Sequence, residues 1–163
     1  MTRSLPAPSR DIALLVARLV IGVVFYAHGW QKLVLNGISD TAVLFHNFGI
    51  PLAIVASSFT VCVEFVGGTL LILGVLVPVA SAFITFVMLG AIYFVHGSHG
   101  IFAADGGWEL VAVLIAGVLA IAAFGPGRLS LDHLLHTRKA PAPAPVPIPE
   151  PYHPGPFDSI RQR

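Results

Sequence analysis

Charge is the scarcest property of this sequence. Lys, Arg, Asp and Glu make up 10% of its 163 residues, where ordinary soluble domains carry roughly 25%. The net charge is +1, and the few basic residues sit at the ends of apolar runs rather than along one stripe. Nucleic-acid binding is therefore excluded. Cysteine is nearly absent. Cys62 stands alone inside an apolar run, which excludes an intramolecular disulfide and a Cys-x-x-Cys couple. It reads as a small buried hydrophobe. No His-x-x-x-His pair or similarly tight ligand spacing is present, so no metal site is expected.

Apolar side chain is what remains, at 56% of the chain. One domain's length of soluble protein could not hide that much, so a lipid bilayer must solvate much of it. The first apolar run is too long for a signal-peptide core and lacks an Ala-x-Ala exit, so it reads as a membrane helix.

The expected fold is an all-α, polytopic membrane four-helix bundle with short interfacial helices. Residues 1–11 form a polar, flexible lead, residues 12–135 the membrane domain, and residues 136–163 a Pro-rich, disordered cytoplasmic tail of extended polyproline-II character. Asp11 is the expected cap of a first helix from Ile12 to about Leu35. A short helix lying on the membrane follows between Gly37 and Pro51, with Ser39 or Asp40 as its cap. A second long helix runs from about Leu52 to Leu76, and Pro78 marks a tight reversal into a third that ends near Val95. The fourth, from Trp108 to Phe124, is short for a span and is stopped by Gly125-Pro126-Gly127. Ser130 is placed to cap a final amphipathic turn.

Arg3 and Arg10 precede the first helix, and Arg128, Arg138 and Lys139 follow the fourth. The opposite end has Lys32 at its rim and no basic residue in the loop 97–107. By the positive-inside rule both termini are expected in the cytoplasm, across the inner or plasma membrane.

Ionisable residues inside the apolar runs are the best functional clue, because each costs about 2.5–3.5 kcal/mol in hydrocarbon on insertion scales. At 100° per residue, Arg18, Gly22, Phe25, Gly29 and Lys32 share one face of the first helix, with His28 at its edge. Glu64 falls roughly 18 Å from either end of the second. Side chains lean toward their own helix N-terminus, so Glu64 leans outward and His28 inward across an axial gap of about 6 Å. A Glu64–His28 pair is the first expectation, with Arg18 as the second partner. Phe25-Tyr26-Ala27-His28-Gly29 is echoed by Tyr93-Phe94-Val95-His96-Gly97. His28, His96, His99 and Glu109 are therefore expected to cluster at the outer end, with Lys32 at its rim.

Such a cluster suits a membrane quinone, which needs donors for its carbonyl oxygens, a proton relay and aromatic walls. Phe25, Tyr26, Tyr93, Phe94 and Trp108 are the candidate walls. Axial haem ligation by two histidines is a less favoured alternative. Structural roles compete with these. Arg18 could snorkel, Lys32 and Trp108 could anchor the interface, the histidines could cap backbone groups, and Glu64 could lock two helices together.

The chain resembles the DoxX family of small four-helix membrane proteins between about Leu14 and Leu135. The matching pieces are Arg18, then His28-Gly29-Trp30-Gln31-Lys32-Leu33, Gly49-Ile50-Pro51 and Glu64-Phe65-Val66-Gly67-Gly68. They continue with His96, Gly100-Ile101-Phe102, Gly106-Gly107-Trp108-Glu109 and Gly125-Pro126-Gly127-Arg128-Leu129-Ser130. The resemblance implies a place near quinone-linked sulfur oxidation or quinone and oxidative-stress resistance, and it transfers no catalytic residue. Three functions are expected in descending order. The first is a quinone-interacting component of a membrane oxidoreductase system with a membrane or soluble redox partner. The second is a non-enzymatic scaffold for a partner protein, and the third a proton-coupled transporter, whose path four helices could widen by homo-oligomerising.

Overall fold

A computed structural model describes residues 7–139, and every regular element in them is helical. Helix α1 spans Ala7–Trp30 and continues as a π turn, Gln31–Leu35. The Asn36 N–H closes that turn by donating to the Gln31 carbonyl, five residues back, at 2.9 Å. A short α2 (Ile38–Asn47) leads to α3 (Ala53–Leu73). Helix α4 (Val77–Ala91) runs into a second π turn (Ile92–His96) and a 3₁₀ turn (Gly97–His99), and α5 (Glu109–Phe124) and α6 (Leu131–Lys139) complete the chain.

Three helical stretches are long and apolar enough to cross a membrane: Pro8–Leu35, Ala53–Leu73 and Val77–His99. The fourth apolar helix, α5, has 16 residues. At 1.5 Å per residue it rises about 24 Å, short of the roughly 30 Å hydrocarbon core. Large apolar side chains face outward on every long helix, among them Val20, Val66, Phe86 and Val113, as a lipid solvent allows. The lone Cys62 is on this exposed surface of α3 rather than buried.

The core joins Phe25 of α1, Val63 and Leu71 of α3, Ile84 and Val87 of α4, and Val118 of α5. The closest approach is between α1 and α3. A Cβ added at Gly29 would collide with the backbone of Phe65, and one at Gly68 with the backbone of Tyr26. Small residues let two helices meet along their backbones, where dispersion and weak polar contacts hold them in lipid.

The reversal between α3 and α4 is tight, as Pro78 predicts. Gly74 adopts φ 69°, Leu76 takes φ 49° as the N-cap, and Pro78 sits in the first turn of α4. A left-handed Leu costs about 1–2 kcal/mol. Part of that cost is offset by the Asp132 carboxylate, which accepts the Leu76 N–H at 2.9 Å. Ser130 caps α6 as expected, its Oγ accepting the His133 N–H at 3.2 Å.

Two expected caps are corrected. Helix α1 is already formed at Ala7, so Asp11 lies inside it. Its Oδ1 instead accepts the Arg128 N–H at 3.1 Å, tying the segment after α5 to α1. Helix α2 begins at Ile38 with Gly37 (φ 82°) as its N-cap and no side-chain cap. Ser39 and Asp40 therefore fall two and three positions past the cap and cannot serve. Residues 7–11 of the expected lead are helical; residues 1–6 and the tail from Ala140 lie outside the described residues.

Candidate functional site

The polar centre of the bundle is an ion pair between Lys32 and Glu64. Lys32 stands on the π turn that ends α1, and Glu64 lies midway along α3. Lys32 Nζ donates to both carboxylate oxygens, at 2.7 Å to Oε1 and 2.5 Å to Oε2. The Glu64 side chain is 4% exposed and that of Lys32 23%. A carboxylate this dry needs a charged donor, and Lys32 supplies it.

The expected Glu64–His28 pair does not form, and neither does Glu64–Arg18. His28 is exposed, and among the described residues its side chain makes no hydrogen bond or ion pair. The difference is one of azimuth. Gly29, not His28, lies at the α1–α3 contact. Lys32 leans back toward the α1 N-terminus on a four-carbon stem, so it spans the gap from one turn farther out.

Aromatic rings flank the pair. Phe65 follows Glu64 in sequence, and its ring centroid is 4.7 Å from Tyr26 and 6.4 Å from Trp30. Tyr26 and Trp30 stack at 6.4 Å with 16° between planes. Of the expected walls only Tyr26 belongs here. Phe25 is buried in the core, and Tyr93 and Phe94 pair with each other in an edge-on contact. Trp30 and Phe65 were missed, although Phe65 directly follows Glu64 and Trp30 stands two residues before Lys32. Helix α2 also packs against α3. Its buried Thr41 donates to the Gly37 carbonyl at 2.9 Å and reaches the Lys32 carbonyl at 3.5 Å.

His96, His99 and Glu109 do something else. His96 Nδ1 lies 2.7 Å from the Gly106 carbonyl, and His99 Nδ1 lies 3.3 Å from Ser98 Oγ. Glu109 Oε1 accepts the Ala103 N–H at 2.7 Å. These three residues shape the loop between α4 and α5, and no hydrogen bond or ion pair joins them to Lys32 or Glu64. The expected single cluster thus divides. The two aromatic-His-Gly segments also part in role, because His96 ties down a loop and His28 does not. Among the described residues no three His, Cys, Asp or Glu side chains gather to hold a metal.

Arg18 is at the opposite end and does not snorkel. It is 1% exposed, and Nη2 donates to the Leu129 carbonyl at 2.5 Å. Its guanidinium occupies the space where a Cβ at Gly74 would stand, beside Ser130. Nε and Nη1 are buried without a protein acceptor. Arg18 therefore pins α1 to both the α3–α4 turn and the segment after α5.

An all-helical polytopic membrane protein with a Lys–Glu ion pair between the end of α1 and the middle of α3 is the class this architecture defines. The DoxX family model matches residues 13–97, more than half of the chain, and the protein belongs to the DoxX family. It is 30% identical over 136 residues to an uncharacterized membrane protein of Mycobacterium tuberculosis, covering 77% of this chain and 83% of that one. It is 29% identical over 133 residues to the inner membrane protein YqjF of Escherichia coli, covering 78% of this chain and 95% of that one. No solved structure matches it.

Proposed function

We propose that this protein is a quinone-interacting component of a membrane redox system, and that Lys32 and Glu64 form its polar head site. The observation that carries the reading is the ion pair together with its aromatic flank. Lys32 offers an ammonium donor to a quinone carbonyl oxygen, and Glu64 offers a carboxylate that can relay a proton. Tyr26, Trp30 and Phe65 present ring faces and edges beside them. Two-electron reduction of a quinone takes up two protons, so a site that can relay protons in a dry setting suits it. The electrons would come from a membrane or soluble redox partner.

The same reading puts the protein in the cytoplasmic membrane with both termini inside. Lys32 is consumed by Glu64, which leaves no uncompensated Lys or Arg at the opposite end among the described residues. The positive-inside rule counts the Lys and Arg themselves, and Arg10 and Arg128 outnumber Lys32 in any case. The name of the Escherichia coli relative, an inner membrane protein, supports this location.

The test is to purify the full chain in mild detergent, extract its lipids and measure quinone by mass spectrometry. Stoichiometric quinone in the wild type, lost in folded Glu64→Gln and Lys32→Met variants, is the expected result. Quinone no richer than in bulk membrane lipid overturns the reading and leaves the pair as a clamp between α1 and α3 in a scaffold.

A further inference from the structure

The turn that carries Lys32 leaves that residue's own carbonyl without its helical donor. In a continuous α-helix the Lys32 carbonyl would accept the Asn36 N–H, four residues on. The π turn sends that N–H to the Gln31 carbonyl instead, at 2.9 Å. Among the described residues, no backbone N–H beyond the turn reaches the Lys32 carbonyl. The turn ends a stretch apolar enough to span a membrane, where an unanswered carbonyl is costly and a side-chain donor is the usual remedy.

Thr41 supplies that donor. It is 2% exposed, and its hydroxyl stands between two carbonyls, 2.9 Å from that of Gly37 and 3.5 Å from that of Lys32. One proton serves both as a three-centre bond, with the nearer oxygen taking the larger share. The Gly37 carbonyl also holds the Thr41 N–H, at 3.1 Å, so it depends less on the hydroxyl than the Lys32 carbonyl does. Helix α2 packs against α3 too, with Thr41 and Ala42 as its buried residues. It thus touches both elements that hold the ion pair.

We propose that Thr41 is a positioning residue for the Lys32–Glu64 pair. By holding the Lys32 carbonyl it fixes the π turn in the orientation that delivers the ammonium to both carboxylate oxygens. Two short bonds from one ammonium to one carboxylate require a narrow range of angles. A flexible four-carbon stem can approach Glu64 from many backbone settings, so its root must be held for one geometry to dominate. The role rests on the head-site reading above, whereas its test reads the ion pair directly and needs no quinone.

The experiment labels the full chain in mild detergent with an amine-reactive ester and follows each lysine by peptide mass spectrometry. The sequence holds only one other lysine, Lys139, which serves as the internal reference. An ammonium held by two oxygens is shielded from the reagent, and Thr41→Val should raise the Lys32 labelling rate roughly fivefold, the order expected for one lost hydrogen bond. Thr41→Ser keeps the hydroxyl and should label at the wild-type rate. Ala42→Gly loosens the same buried face of α2 without touching the hydroxyl, and it too should leave Lys32 at the wild-type rate. A wild-type rate in Thr41→Val, a Thr41→Ser rate as fast as that of Thr41→Val, or an equal rise in Ala42→Gly would each overturn the assignment.

Discussion

Helix α1 carries two cations into the bundle, and they are treated in opposite ways. Lys32 meets a carboxylate and makes two short bonds to it, while Arg18 meets only a carbonyl and keeps two buried donors without a protein acceptor. The difference is one of partner rather than of depth, since Arg18 is the more buried of the two. A paired charge that loses its partner leaves a bare ion in a dry setting, which is strongly destabilising. A cation held by backbone alone has already met most of its desolvation cost, and an apolar replacement relieves it.

The largest effect should therefore come from breaking the ion pair on one side. Glu64→Gln or Lys32→Met is expected to lower stability by about 3 kcal/mol, read by unfolding in mixed micelles. The Lys32→Met/Glu64→Gln double variant should recover much of the loss. Additive losses in that cycle would mean the two side chains are not coupled.

Next comes the seam that brings them together. Gly29→Val drives a branched side chain into the Phe65 backbone, which cannot yield as a flexible side chain would. A loss of about 2–3 kcal/mol is expected, and crosslinking between cysteines placed on α1 and α3 should weaken with it. Unchanged crosslinking would break the claim that this seam sets the Lys32–Glu64 geometry.

Arg18→Met should cost less, about 1 kcal/mol. The lost bond to the Leu129 carbonyl is offset by removing a desolvated charge. If the same unfolding assay finds it as damaging as Glu64→Gln, the contrast between the two cations fails. The smallest effect is expected from Thr41→Val, about 0.5–1 kcal/mol. It removes the hydroxyl that ties the start of α2 to the Gly37 carbonyl, and faster amide exchange across residues 38–41 is the readout.

Much of this was legible beforehand for a physical reason. Hydropathy places long helices without reference to neighbours, and Gly or Pro ends them through backbone geometry alone, as at Gly125 and Pro78. The stripe Arg18, Gly22, Phe25, Gly29 and Lys32 follows from helical periodicity and indeed faces the protein. Asp11 and Ser39 show where local signals fail. Each is a good capping residue, but helix formation around them continued and left them inside. His96, His99 and Glu109 share an end of the molecule, as depth predicts, yet depth says nothing of azimuth, and they turned to their own loop.

The sequence by itself determined that this is a helical membrane protein, where its spans fall and which ionisable residues had to find partners. Hydrophobic length, glycine and proline act locally, and the cost of charge in lipid does not depend on the fold. Only the tertiary structure decided the partners: Lys32 rather than His28 for Glu64, and a carbonyl for Arg18. Those choices turn on the rotation of one helix against another and on the reach of a side chain, to within a few ångströms. Nothing in the spacing along one strand of sequence sets that rotation. The backbone contacts at Gly29 and Gly68 do.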